Sequence, residues 1–120
     1  MLTQPVESTF RVAVRRMDPV AILDLHGEIN AAAEEALNAA YDEAAQDGVR
    51  TVVLSFGGVD YINSTGIALI VGLLARARKD RRKVSAFGLS DHYVEIFQIT
   101  RLSDFMHIHT DEANAVRDLD

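Results

Sequence analysis

The chain has 120 residues, 48% of them hydrophobic and 25% charged, with a net charge of −6 and no cysteine. That length suits one domain around a single core. The acidic balance argues against nucleic acid as a direct partner, and the lack of cysteine removes disulfides and thiol chemistry. No apolar run approaches the roughly 20 residues of a membrane span. Met1-Leu2-Thr3-Gln4-Pro5 lacks the charged and apolar regions of a signal peptide, so the cytoplasm is the expected compartment.

Residues 1–120 are read as one domain, with 1–8 a loose leader of proline and small polar groups. Phe10 to Arg15 alternates apolar with mostly polar residues, a strand with one wet face. Met17-Asp18-Pro19 supplies turn chemistry, and Val20 to Leu25 returns as the second strand of a hairpin. His26-Gly27-Glu28-Ile29-Asn30 ends that strand, with Asn30 a cap for the next helix. The spacing predicts a helix over Ala31 to Gln46, with Ala33, Leu37, Ala40, Tyr41 and Ala44 on its buried stripe. Asp47-Gly48 closes it.

Thr51 to Phe56 is β-branched and apolar on both faces, the pattern of an interior strand. Gly57-Gly58 is expected to break it. Asn63, Ser64 and Thr65 are all good capping residues, so a helix start here presents two hydroxyls beside unpaired backbone N–H groups. From Ile67 through Leu74 the helix that follows is unusually apolar, at Ile67, Leu69, Ile70, Val71, Leu73 and Leu74, within a strand-loop-helix stretch from Thr51 to Lys79. Part of that surface is core, and Ile67 or Leu69 is expected to stay partly exposed for docking. Gly66 is expected to admit the backbone of a partner. Lys83 to Gly88 is a further strand, and Ser90-Asp91 caps a helix to about Thr100. Phe105 to His109 is a last strand, and Asp111 starts a short terminal helix. The alternation of strand and helix implies parallel β-α-β units after the hairpin. The expected fold is α/β, a mixed sheet of four or five strands with about four helices packed against it.

Candidate chemistry is sparse. His107 and His109 share a face if their segment is a strand, but two histidines without a third ligand make a poor metal site. Ser64 lies in no catalytic serine signature, and Gly57-Gly58 does not continue into a P-loop. The basic run Arg76, Arg78, Lys79, Arg81, Arg82 and Lys83 complements the negative end of the preceding helix. No interleaved aromatics accompany it as a stacking surface for bases. A serine at a helix N-terminus, in contrast, is a position where a phosphate can be carried without disrupting the fold.

Gly27-Glu28-Ile29-Asn30 resembles the Gly-Glu-Leu-Asp element of STAS domains, specifically of the bacterial anti-sigma factor antagonists. Tyr61-Ile62-Asn63-Ser64-Thr65-Gly66-Ile67 is similar to that family's Asp-Ser-Ser/Thr-Gly signature. Gly88-Leu89-Ser90, Phe97 and Leu102-Ser103-Asp104 match its later landmarks, so the resemblance runs from about Phe10 to Val116. It implies a single STAS domain without catalytic activity or cofactor. Such a module binds an anti-sigma factor, an ATP-dependent serine/threonine kinase, and so frees the sigma factor. Phosphorylation by that kinase switches it off, and a separate phosphatase restores it.

By position the phosphoacceptor is Ser64. The partner surface implied by the resemblance comprises Gly27, Glu28, Asn30, Ile62, Asn63, Thr65, Gly66, Ile67 and Leu69. Asn63 and Asn30 stand where the family commonly carries aspartate, keeping shape and capping ability but not charge. The alternative reading is a constitutive STAS scaffold in a signalling complex or a membrane lipid-transport system, with Ser64 only a helix cap. An enzyme using Ser64 is the remaining alternative.

Overall fold

A computed structural model describes residues 10–117; the leader expected over residues 1–8 lies outside the described residues. Five strands form one sheet in the order β1-β2-β3-β4-β5. They are β1 (Arg11–Met17), β2 (Val20–Ile29), β3 (Thr51–Ile62), β4 (Lys83–Phe87) and β5 (His107–His109). The first pair is an antiparallel hairpin, and the other neighbours run parallel. Helices α1 (Glu34–Ala44), α2 (Ser64–Lys79) and α3 (Asp91–Ile99) connect the parallel strands, and α4 (Glu112–Arg117) follows the last one. The predicted α/β class, the hairpin and the interior place of the Thr51–Phe56 segment all hold.

Two apolar layers enclose the sheet. On one face Leu23, Leu25, Val52, Leu54 and Phe56 pack with Leu37 and Tyr41 of α1, Ile70 and Leu73 of α2 and Phe97 of α3. On the other, Val20, Ile22 and Val53 meet Ala115 of α4. This double cover explains why β2 and the start of β3 are apolar at successive positions. β1, at the sheet edge, keeps Arg11, Ala13 and Arg15 exposed and only half-buries Val12 and Val14. Arg15 pairs with Asp24 and Glu112, joining the hairpin to α4. These carboxylates raise the Arg15 pKa further above its ordinary value, Glu112 first. The pairs are exposed enough to add little stability.

Several boundaries differ from the sequence reading. Gly57-Gly58 does not end β3, because pairing with β2 continues with Gly58 opposite His26 and Ile62 opposite Ile29. A Cβ on Gly58 would stand 2.1 Å from the His26 Nδ1, so this glycine makes room for a neighbouring strand's imidazole. β2 likewise runs past Leu25 to Ile29, through register shifts at Asp24/His26 and Gly27/Glu28. Gly27, at φ 90, takes a backbone conformation that other residues rarely adopt. The first helix begins as a 3₁₀ turn over Ala31–Ala33 and ends at Ala44, two residues short of Gln46, though its predicted stripe is buried. β5 is three residues long, because Phe105 closes a 3₁₀ turn over Leu102–Asp104 instead of entering the strand.

Candidate functional site

The ends of β2 and β3 lie side by side and bring the two predicted motifs together. Asn63 leaves β3 in an extended conformation, and its side-chain oxygen accepts from the Gly66 N–H at 2.8 Å. Its carbonyl accepts from Ile67 N–H at 2.9 Å, which opens α2. Its own N–H donates to the Ile29 carbonyl at 3.2 Å. Asn63 is therefore the N-cap, and Ser64 is the first helical residue. Ser64 and Thr65 are both exposed. The first turn carries no acidic residue to compensate the helix dipole, which leaves the positive end of a 16-residue helix facing these hydroxyls.

Gly66 is buried, and a Cβ there would stand 2.0 Å from the Ile29 carbonyl oxygen. The backbone that Gly66 admits is thus this chain's own, where the sequence suggested a partner's. Asn30 caps the 3₁₀ turn by accepting from Ala32 N–H at 3.0 Å, and its amide donates to Glu28 at 3.4 Å. Gly27, Ile62 and Gly66 are buried and build the platform, whereas Glu28 and Thr65 are exposed upon it. Asn30 and Asn63 are half-buried. So are Ile67 and Leu69, which pack against the core with part of each side chain at the surface.

Sequence reasoning missed Tyr93. Its hydroxyl accepts from the Ile62 N–H at 2.8 Å and reaches the Ile62 carbonyl at 3.5 Å, tethering the residue just before Asn63 to α3. Tyr93 N–H is in turn capped by Ser90 Oγ at 3.3 Å. A tyrosine three residues after a cap carries no local signal of this bond, which spans 31 residues. Beside it a hollow of about 220 Å³ opens between Phe56, Val59, Ile62, Leu89 and Tyr93. Tyr61, which opens the motif around Ser64, is 54% exposed at the end of β3.

His107 and His109 do share one side of β5, with ring centroids 6.4 Å apart. Among the described residues there is no group of three or more side chains able to hold a metal ion, and no helix is long and apolar enough to cross a membrane.

A five-stranded mixed sheet, with an exposed serine opening the helix after its central strand, defines a small α/β module of a recognisable class. Residues 11–115 match the STAS domain, and the chain belongs to the STAS domain family. It is 36% identical over 64 residues to the anti-sigma-B factor antagonist of Staphylococcus aureus, a match covering 53% of this chain and 59% of that protein. The chain thus spans less than two thirds of that relative's length. Among solved structures, an anti-sigma factor antagonist from Mycobacterium paratuberculosis superposes with a TM-score of 0.79 at 17% identity, covering 98% of each chain. The Bacillus cell fate determinant SpoIIAA in its phosphorylated form gives a TM-score of 0.67 at 22% identity, covering 91% of this chain and 98% of that one. At such identities these two establish a shared fold.

Proposed function

We propose that this chain is an anti-sigma factor antagonist: a non-catalytic module that binds an anti-sigma factor serine kinase and is released when that kinase phosphorylates Ser64. The observation that carries the reading is the division of labour at the start of α2. Asn63 performs the capping, so the exposed Ser64 hydroxyl has no structural duty to lose. A scaffold in which Ser64 served only as a cap needs a role that Asn63 already fills. The name of the Staphylococcus aureus relative and the phosphorylated form of the Bacillus neighbour support the same reading.

The partner surface is the platform around Ser64. Glu28, Asn30, Asn63, Thr65, Ile67 and Leu69 face the kinase, and Gly27, Ile62 and Gly66 shape the backbone beneath them. A phosphate on Ser64 brings about −1.5 to −2 charge to a helix end whose dipole accepts it, so the fold survives. Buried in the interface, the same charge must be desolvated and opposes binding. A phosphatase completes the cycle in the cytoplasm. Intact mass after incubation with ATP and an anti-sigma factor kinase tests this. The wild type and Thr65→Ala gain one phosphate and Ser64→Ala gains none; modification of Ser64→Ala, or an unmodified wild type, contradicts the assignment.

A further inference from the structure

The far end of α2 carries a second concavity. A groove of about 530 Å³ runs between the C-terminal half of α2, the start of β4 and the 3₁₀ turn before β5. That volume lies within the range of small-molecule sites, roughly 300–1,000 Å³. Val71, Leu74, Val84, Leu102 and Phe105 supply an apolar floor. Two of these are among the exposed large hydrophobic residues, Val71 at 47% and Phe105 at 55%, so water covers apolar surface that a ligand would cover better.

The charged residues of the walls are mostly cationic. Arg78, Arg82, Lys83 and Arg101 line the groove against a single carboxylate, Asp104, in a chain whose net charge is −6. Their environments differ. Arg82 is held by the carbonyls of Val49 and Gln46 at 3.0 and 3.1 Å, and Arg101 binds Asp104 at 2.7 Å. Arg78 instead sits over the Phe105 ring, 5.8 Å from its centroid. The guanidinium is thereby poised at the boundary between the apolar floor and the mouth.

We propose that this groove binds a long-chain carboxylate, its headgroup on Arg78 and its hydrocarbon chain along Val71, Leu74 and Phe105. An apolar trough lined by cations is complementary to an anionic amphiphile. A nucleotide would need polar groups to read its base and sugar, and this floor is hydrocarbon. The site stands apart from Ser64: α2 rises about 1.5 Å per residue, which places Arg78 about 20 Å along the axis from it. The proposal is therefore independent of the kinase switch.

Calorimetric titration of the whole chain with dodecanoate, below the concentration at which it forms micelles, tests the proposal. One saturable site is expected, with binding at least about tenfold weaker for dodecanol, which lacks the charge. Arg78→Glu and Val71→Asp, both at exposed positions, weaken dodecanoate by a similar factor while circular dichroism shows the fold retained. Ser64→Glu leaves dodecanoate binding unchanged. The proposal is overturned by the absence of saturable binding to the wild type, or by equal affinity for dodecanoate and dodecanol. It is also overturned if both groove variants bind as the wild type does. Capture of an acidic apolar peptide in place of dodecanoate would assign the groove to a protein partner and overturn it too.

Discussion

At its N-terminal end the polar contacts that fix α2 are backbone and amide groups: the Asn63 cap, the Asn63 N–H on Ile29, and Gly66 pressed against the same carbonyl. At its C-terminal end charged groups add to the buried Leu73, Leu74 and Ala77. Arg76 pairs with Asp42 and lies 4.5 Å from the centre of the Tyr41 ring. Tyr41 donates to Asp80 at 2.9 Å, and Arg82 lies 3.5 Å from that carboxylate. On the proposed reading, one helix serves as both anchor and switch. The charged end ties α2 to α1, and the first turn at the other end holds no acidic residue to repel a phosphate.

The largest effect expected from breaking this arrangement is at Gly66. Gly66→Ala drives a methyl into the Ile29 backbone, and overpacking against backbone costs about 2 kcal/mol or more, read as a lower urea midpoint. Gly72 is the control on the same helix. Nothing lies within 4 Å of a Cβ there, so Gly72→Ala stabilises by about 0.5–1 kcal/mol through helix propensity.

Next comes the charged end. Burial and the Asp80 carboxylate push the Tyr41 hydroxyl up to about 12. The fold therefore favours the neutral phenol. Its contribution is fully present below the ordinary tyrosine value, near 10, and is lost as pH rises through the folded value, about 12. Tyr41→Phe costs about 1 kcal/mol at neutral pH and flattens the fall in stability over that alkaline window, measured by denaturant titration at several pH values.

The capping assignment predicts two unequal effects, the larger no greater than that at Tyr41. Asn63→Ala costs about 1 kcal/mol, while Ser64→Ala stays within about 0.5 kcal/mol of wild type, as exposed substitutions do. Thermal unfolding of the two variants side by side reads the difference. Equal losses would return the cap to Ser64 and favour the scaffold.

Much of this was legible in the sequence wherever the signal is local. The doubly apolar Thr51–Phe56 run marked a strand covered on both faces, the stripe through Leu37 and Tyr41 marked α1, and Asn63-Ser64-Thr65 marked the start of α2 to within a residue. What escaped depends on partners distant in the chain. Gly57-Gly58 reads as a break until His26 is known to occupy the space above Gly58. Gly66 reads as an opening for a partner until the Ile29 carbonyl is found against it. Tyr93 gives no sign of its bond to Ile62, and the apolar groove at Val71 and Phe105 exists only once α2 and the turn before β5 are packed together.

The proposed switch requires a charge on Ser64 that the fold tolerates and the kinase interface does not. Calorimetry of the kinase with unmodified and with Ser64-phosphorylated protein measures that directly. An unpaired buried charge commonly costs about 2–5 kcal/mol, which predicts affinity weaker by about 30-fold to several-thousand-fold on phosphorylation, with an unchanged circular dichroism spectrum. Equal affinity of the two forms for the kinase would contradict the switch.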